Sequence, residues 1–264
     1  MAAPVKPAIL VVSGGWHIPQ SYAKLREALE EAGFEVHIPP LTSVKQDEPL
    51  MGDQGNRDLD SDTAAIRAKA EELINKDERT VVALMHSYGG HVGSNALHGL
   101  GLKTLPDGRQ VGVSHLVYLT AYAMPPGGIM MDMVKDQGNL GLAAERFPIE
   151  ADGTCMCADP KELLVTPGPE DDMKEIEEYI QTLRPWNAVV MTQETKHAAW
   201  QEIPAAFIYT TKDMILPSTY QQTFMATLKT RWPEMKTFEL VAGHSPNLTA
   251  SKGVADAVRK IISG

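Results

Sequence analysis

Cysteine is nearly absent from this chain. Only Cys155 and Cys157 occur, one residue apart in 264. Two thiols are too few for a disulfide framework, and no His/Cys cluster completes a zinc site around them, so we expect reduced, structural cysteines and no metal. Positive charge is also scarce: 24 basic residues face 34 acidic ones, for a net charge of −10. That balance offers no basic footprint for nucleic acid or an anionic membrane. No stretch approaches the length of a membrane span. The apolar run in "MAAPVKPAILVVSGG" is too short for a signal peptide and continues into a strand, so a soluble, cytoplasmic protein is expected. Internal repeats and low-complexity tracts are missing. So is a dinucleotide fingerprint, because the positions after Gly14 that GxGxxG would fill with glycine hold Trp16 and Pro19. Asp58, Asp60 and Asp62 alternate in an acidic stretch over 42–62. A calcium loop would need Gly and Glu where Thr63 and Lys69 stand, so a solvated loop is expected.

What remains is a chain of ordinary composition, 43% hydrophobic and 22% charged, long enough for one large α/β domain with an inserted subdomain. The short apolar run "AILVV" (8–12) suits a strand buried on both faces. "SYAKLREALEEAG" (21–33) has helical spacing and stops at Gly33. "EVHI" (35–38) is a second strand, closed by two prolines. "TAAIRAKAEELI" (63–74) is a helix with Ser61 or Asp62 available as N-cap. "TVVALM" (80–85) and "HLVYLT" (115–120) are further strands, with a helix between them. The alternation resumes with "AAFIYT" (205–210), a helix near 217–229, "KTFELV" (236–241) and a last helix near 250–262. Strands spaced by helices predict a mostly parallel sheet with right-handed crossovers and helices on both faces. Residues 123–202 break the pattern, being rich in Met, Pro and Gly, with one helix at 170–184 and no convincing strand. We divide the chain into a core, 1–122 and 203–264, and a mainly helical cap insertion, 123–202.

Ligands of open parallel sheets bind at the C-terminal strand ends. The third strand ends in "VVALMHSYGGHVG" (81–93), where Met85-His86-Ser87-Tyr88-Gly89 matches a nucleophile elbow except that Met85 replaces the usual first glycine. A serine needs a base, and the base needs an acid to fix its tautomer. Asp213 follows "AAFIYT" in "TKDMILP", and His244 follows "KTFELV" in "AGHSPN". Nucleophile, acid and base therefore stand past successive strand ends in the order this topology requires. Each has a bland alternative, as a turn serine, a turn aspartate and a loop histidine, but the three coincide. His86 and His91 lie too close to the serine in sequence to approach it from a separate loop. His17, on the first-strand loop, is open to a pocket role or a structural one. Gly14 and Gly15 allow close backbone approach, and amides here could hold an oxyanion.

With "AILVVSGGWHIPQSYAKLREALEEAGFEVHIPPL", "VVALMHSYGGHVG", "HLVYLTAYAMPPG", "IPAAFIYTTKDMILP" and "FELVAGHSPNLT", the chain resembles the α/β-hydrolase superfamily, and within it the methyl esterase and hydroxynitrile lyase group with related fungal and bacterial hydrolases. The resemblance covers both halves of the core and the cap only loosely. It implies the α/β-hydrolase fold, Ser87 as nucleophile, Asp213 as acid, His244 as base, and the Gly15 and Tyr88 amides as oxyanion hole, with no metal or organic cofactor. The family's first loop usually begins His-Gly, where this chain has Ser13-Gly14. Hydroxynitrile lyases add a threonine in that loop and a lysine after the catalytic histidine, and here Gly14 and Ser245 occupy those places. Seven methionines and two tryptophans in 123–202 suit an apolar pocket. We expect Trp16, His17 and Trp186 to touch a small-molecule ester or lactone. C–C lysis or cyclisation on the same triad stands as the alternative, a non-catalytic receptor as a remoter one, and homodimer formation is left open.

Overall fold

The computed structural model describes residues 6–46 and 57–263. Its elements run β1 (Ala8–Val12), α1 (Ala23–Glu31), β2 (Val36–His37), α2 (Leu59–Glu71), β3 (Thr80–His86), α3 (Gly89–Ala96), β4 (Lys103–Thr104) and β5 (Gln110–Leu119). An excursion follows with α4 (Met130–Asp136), α5 (Leu140–Arg146), β6 (Thr154–Cys155), α6 (Met173–Ile180) and β7 (Trp186–Asn187). The chain then returns through β8 (Ala205–Thr210), α7 (Ser218–Lys229), β9 (Thr237–Leu240), α8 (Pro246–Thr249) and α9 (Ser251–Ile262).

Six strands pair in parallel in the order β2-β1-β3-β5-β8-β9, and β4 adds antiparallel to β5. Alternation along the buried strands sends successive side chains to opposite faces. Ile9, Val11, Val82 and Leu84 pack with Leu25, Leu29, Val254 and Val258 of α1 and α9. Leu10, Val12, Val81, Ala83 and Met85 face α2, α3 and the excursion. The sheet is therefore covered on both sides, as its uninterrupted apolar strands require. Because β1 is flanked by β2 and β3, the chain reverses its direction of travel across the sheet between β1 and β3. That crevice is where an open sheet exposes backbone to a ligand.

Four local expectations are corrected. The second helix begins at Leu59, not residue 63, and its N-cap is Asp58 rather than Ser61 or Asp62. Asp58 accepts from the Ser61 amide at 2.9 Å while Ser61 Oγ accepts from the Asp58 amide at 2.9 Å, a reciprocal capping box. Residues 57–62 are thus not a solvated loop: Asp60 pairs with Lys196, and Asp62 is fully buried. The rest of that stretch, 47–56, lies outside the described residues. The strand expected at 115–120 starts at Gln110, beyond a bulge opposite Val81 and Val82 and the positive-φ Gly112, which interrupt any period-two signal. Finally, the excursion holds the helices α4 and α5 and a small antiparallel pair, β6 with β7, whose two-residue strands are too short to leave a pattern.

Among the described residues no helix is long and apolar enough to cross a membrane. Cys155 and Cys157 are free and buried, and burial raises their thiols to about 11 and about 12, which keeps them protonated near neutral pH.

Met85 at the first elbow position fits because of a glycine one turn into α3. A Cβ on Gly93 would lie 2.3 Å from Met85 Sδ, so the thioether fills the space that Gly93 leaves. Met85→Ala should cost about 2–5 kcal/mol as a cavity and Gly93→Ala about 1–3 kcal/mol as an overpacked contact. The double variant should lose clearly less than the sum, read from urea unfolding. Strict additivity would show that the two sites do not share this space.

Candidate active site

Ser87 sits at the corner between β3 and α3 with φ 54°, a left-handed conformation that costs a non-glycine residue about 1–3 kcal/mol. Neighbouring glycines make the corner sterically feasible. A Cβ on Gly89 would stand 2.2 Å from the Val12 carbonyl oxygen, and one on Gly90 would stand 2.5 Å from the Tyr122 carbonyl. The Ser87 amide donates to Leu119 O at 3.3 Å, and the Tyr122 amide donates to Ser87 O at 3.1 Å. The hydroxyl is thereby held at the crevice between β1 and β3.

His244 and Asp213 arrive from the loops after β9 and β8. His244 Nε2 lies 2.8 Å from Ser87 Oγ, and Nδ1 lies 2.7 Å from Asp213 Oδ2. The structure thus brings together the three residues singled out in the sequence. Asp213 has no exposed side-chain surface, and its remaining acceptor capacity is filled. Oδ1 accepts the amides of Ile215 and Leu216 at 2.8 and 2.7 Å, and Oδ2 accepts the hydroxyls of Thr120 and Thr210 at 2.5 and 3.2 Å. This arrangement orients His244 with Nδ1–H toward Asp213, leaving Nε2 facing Ser87 Oγ. Thr120 and Thr210, at the ends of β5 and β8, carry no motif that would have marked them in advance.

Neither the Gly15 nor the Tyr88 amide donates a hydrogen bond among the described residues. Both glycines of the first loop are needed by contact. A Cβ on Gly14 would lie 3.0 Å from Ser87 Cβ, and one on Gly15 would lie 2.6 Å from the Trp186 ring. The Tyr88 hydroxyl donates to the buried Asp62 at 2.9 Å, and Asp62 also accepts from Thr42 and Ser43. Burial pushes the Asp62 carboxyl up.

An apolar cavity of about 300 Å³ opens over Ser87. Trp16, Tyr122, Met130, Met191 and Phe147 line it together with other side chains of α4 and α5. Trp16 reaches it as expected, but His17 and Trp186 do not. His17 is buried behind the loop, where Nδ1 faces Gly15 O at 2.5 Å and Nε2 faces the Tyr179 hydroxyl at 2.6 Å. Trp186 lies on the far side of Gly15, edge-on to Trp16 and tilted against Tyr88, with ring centroids 5.1 and 5.0 Å away. Both are spent on supporting the loop. A larger, more open groove lies at the other end of the sheet, around His115, Trp232 and Lys236, and holds none of these three residues. Among the described residues no group of three or more His, Cys, Asp or Glu could hold a metal.

A parallel sheet with an elbow serine, and with an acid and a histidine after later strands, defines the α/β-hydrolase fold. The model of the alpha/beta hydrolase family matches residues 9–257, and the chain belongs to that family. Alpha/beta hydrolase nvfD of Aspergillus novofumigatus is 27% identical over 217 residues, covering 82% of each protein. Two solved structures share the fold over nearly their whole length. A pyrethroid hydrolase from Sphingobium faniae JZ-2 is 21% identical, with a TM-score of 0.72 over 98% of both chains. The methylesterase MES16 from Arabidopsis is 18% identical, with a TM-score of 0.69 over 98% of this chain and 99% of its own.

Three buried histidines surround the site. Desolvation lowers His17 to about 3, His91 to about 4, and His86 well below its ordinary value. The unfolded chain protonates them near pH 6.5 and the folded chain does not, so unfolding takes up protons and stability falls as pH drops below 6.5. Asp62, raised, acts in the opposite sense. Near pH 5.5 we expect a net uptake of on the order of two protons, about 2–3 kcal/mol per pH unit. A flat urea-unfolding profile between pH 5 and 6.5 would contradict neutral burial.

Proposed function

We propose that the protein is a serine hydrolase that cleaves a carboxylic ester or lactone of a medium-sized, apolar or aromatic substrate through an acyl-enzyme. One observation carries the reading: the Ser87 hydroxyl, already within hydrogen-bond reach of His244, lies on an apolar cavity of about 300 Å³. Such a site seats an uncharged body and presents its carbonyl to the nucleophile.

In the first step His244 Nε2 takes the Ser87 proton as Oγ attacks the carbonyl, and the Gly15 and Tyr88 amides receive the developing oxyanion. Asp213 holds the imidazolium that forms. His244 then protonates the leaving alcohol, or the ring oxygen of a lactone. In the second step His244 deprotonates water, which attacks the acyl-enzyme, and the proton returns to Ser87 as the acid departs. Each proton and charge in this scheme is handled by a group of this chain. Residues 123–202 act as a cap on the core, 1–122 and 203–264, and its α4 and α5 supply much of the substrate surface. An esterase named for methyl esters and a hydrolase named for pyrethroids share the fold, which agrees with an ester substrate of apolar body.

Lyase chemistry of the hydroxynitrile type is disfavoured by specific contacts. Gly14 touches Ser87, His86 and His17 so closely that a threonine there would collide with the nucleophile's own Cβ. Ser245, in the place of the lyases' lysine, is fully buried and bonded to Tyr179 at 2.8 Å, so that position supplies no cation to the base.

Ser87→Ala and His244→Ala should each lower kcat by on the order of 10³-fold or more without unfolding the protein, because nucleophile and base act as one unit. Wild-type turnover by Ser87→Ala would end the proposal. Purified enzyme given p-nitrophenyl esters, lactones and mandelonitrile in parallel should hydrolyse esters or lactones. Cyanide release without any hydrolysis would instead identify a lyase.

A further inference from the structure

The first loop lacks the family's usual leading histidine, yet its glycines are held. Around it lie four buried polar side chains that the acyl-transfer steps do not use: Tyr22, His86, His17 and Tyr179. Their hydrogen bonds form two chains whose donor directions are fixed by their ends.

One chain starts at the Gly14 amide, which donates to the Tyr22 hydroxyl oxygen at 2.8 Å. Tyr22 must then donate to His86 Nδ1, also at 2.8 Å, which leaves His86 Nε2–H to donate to the His244 carbonyl at 2.7 Å. The second chain ends at a carbonyl too. Gly15 O can only accept, so His17 Nδ1 carries the proton at 2.5 Å. His17 Nε2 is therefore the acceptor, and the Tyr179 hydroxyl donates to it at 2.6 Å. Ser245 Oγ, 2.8 Å from that hydroxyl, donates in turn to Tyr179. The Gly15 amide, which the acyl-transfer reading gives to the oxyanion, lies in the peptide joining Gly14 to Gly15, and the peptides on either side of it are pinned, one at the Gly14 N–H by Tyr22 and the other at the Gly15 C=O by His17. The joining peptide's own carbonyl accepts the His17 amide in a long bond of 3.4 Å, and two consecutive glycines add no side chain to hold it.

We infer that Tyr179, reaching in from α6 of the cap, and His17 are positioning residues for the oxyanion hole: the Tyr179 hydroxyl, by donating to His17 Nε2, supports the tautomer that the Gly15 carbonyl requires, and His17 Nδ1–H holds that carbonyl, on the same residue as the Gly15 amide. The logic repeats that of the triad, in which an acid selects which nitrogen of a histidine carries the proton. His17 suits the task because its burial keeps it neutral. Trp186 covers the same glycine from the other side, so the cap presses the peptide against the support that Tyr179 secures. Without the Tyr179 hydroxyl, His17 is free to carry its proton on Nε2, and Nδ1 then faces Gly15 O lone pair to lone pair.

The inference rests on the acyl-transfer reading and is tested on the full-length enzyme with the best p-nitrophenyl ester. Tyr179→Phe keeps the ring and should lower kcat about 10- to 100-fold with KM nearly unchanged, the signature of a donor displaced by a fraction of an ångström. Inhibition by an aryl trifluoromethyl ketone, whose adduct with Ser87 places an oxyanion in the hole, should weaken by a similar factor. His17→Leu should lose at least as much. His17→Asn restores a donor in the Nδ1 position with no tautomer to fix. It should recover most of the activity lost in His17→Leu, and adding Tyr179→Phe to it should change little. Wild-type kcat and ketone inhibition in a folded Tyr179→Phe enzyme would overturn the inference. So would a loss confined to KM, or an undiminished effect of Tyr179→Phe in the His17→Asn background. If Tyr179→Phe fails to fold, the comparison of His17→Asn with His17→Leu decides: equal kcat in the two overturns the assignment. Turnover by Ser87→Ala would instead condemn the acyl-transfer reading itself.

Discussion

The site depends on one backbone approach. The first turn of α3 lies against the end of β1 so tightly that Gly89 leaves no room for a Cβ beside the Val12 carbonyl. This contact lets the chain turn the corner at Ser87 with φ 54° and leaves the Tyr88 amide free at the start of the helix. It also sets the spacing between the elbow and the Gly14-Gly15 loop, which follows β1. The elbow and the Gly14-Gly15 loop are therefore placed by one register, in which Val12 pairs with Met85 across two central strands. The strain at Ser87 is offset by the buried sheet around it.

Polar groups in such a place are acceptable only if they are bonded and uncharged, or bonded and paired. Asp213 meets the second condition with four protein donors in addition to His244. His17 and His86 meet the first, each with both nitrogens engaged. His91 is less well served: Nε2 meets the Thr195 hydroxyl at 2.8 Å, but Nδ1 has no partner among the described residues. The result is a shell of neutral imidazoles around one ion pair in the making. Among them Asp213 is the carboxylate that faces His244 Nδ1.

How far the sequence could be read follows from how each feature is encoded. The succession of strands and the places of Ser87, Asp213 and His244 are local facts repeated along the chain, an apolar run followed by a reactive residue, so they are legible one at a time. Asp58 as N-cap was legible in principle, since Ser61 three residues on completes a capping box, but the alternation of acids at 58, 60 and 62 looks like a solvated loop. His17 and Trp186 were recognisable as residues near the site and misjudged as substrate contacts. Their facing partners, Tyr179 and Gly15, are distant in sequence or lack a side chain to betray the contact. Thr120, Tyr22 and His86 are invisible for the same reason: a hydrogen bond between residues 64 or 93 positions apart leaves no periodicity. Met85 breaks the elbow pattern only until Gly93 is seen opposite it.

The excursion between β5 and β8 divides its labour in a way that matters for change. α4 and α5 line the cavity, and several of their residues, such as Leu140 and Leu142, are also exposed to solvent. Tyr179 and Trp186 come from the second half, are buried, and touch the first loop instead of the cavity. Around them the backbone is tied down, with the Arg184 amide donating to Trp16 O at 2.8 Å and the Asn187 amide to Ser43 O at 2.9 Å. Residues that line the cavity and residues that support the first loop thus belong to the same excursion but to different parts of it. The cavity-lining residues of α4 and α5 are separate from the contacts that Tyr179 and Trp186 make with the loop. A fold arranged this way can vary what it binds while keeping its donors in place.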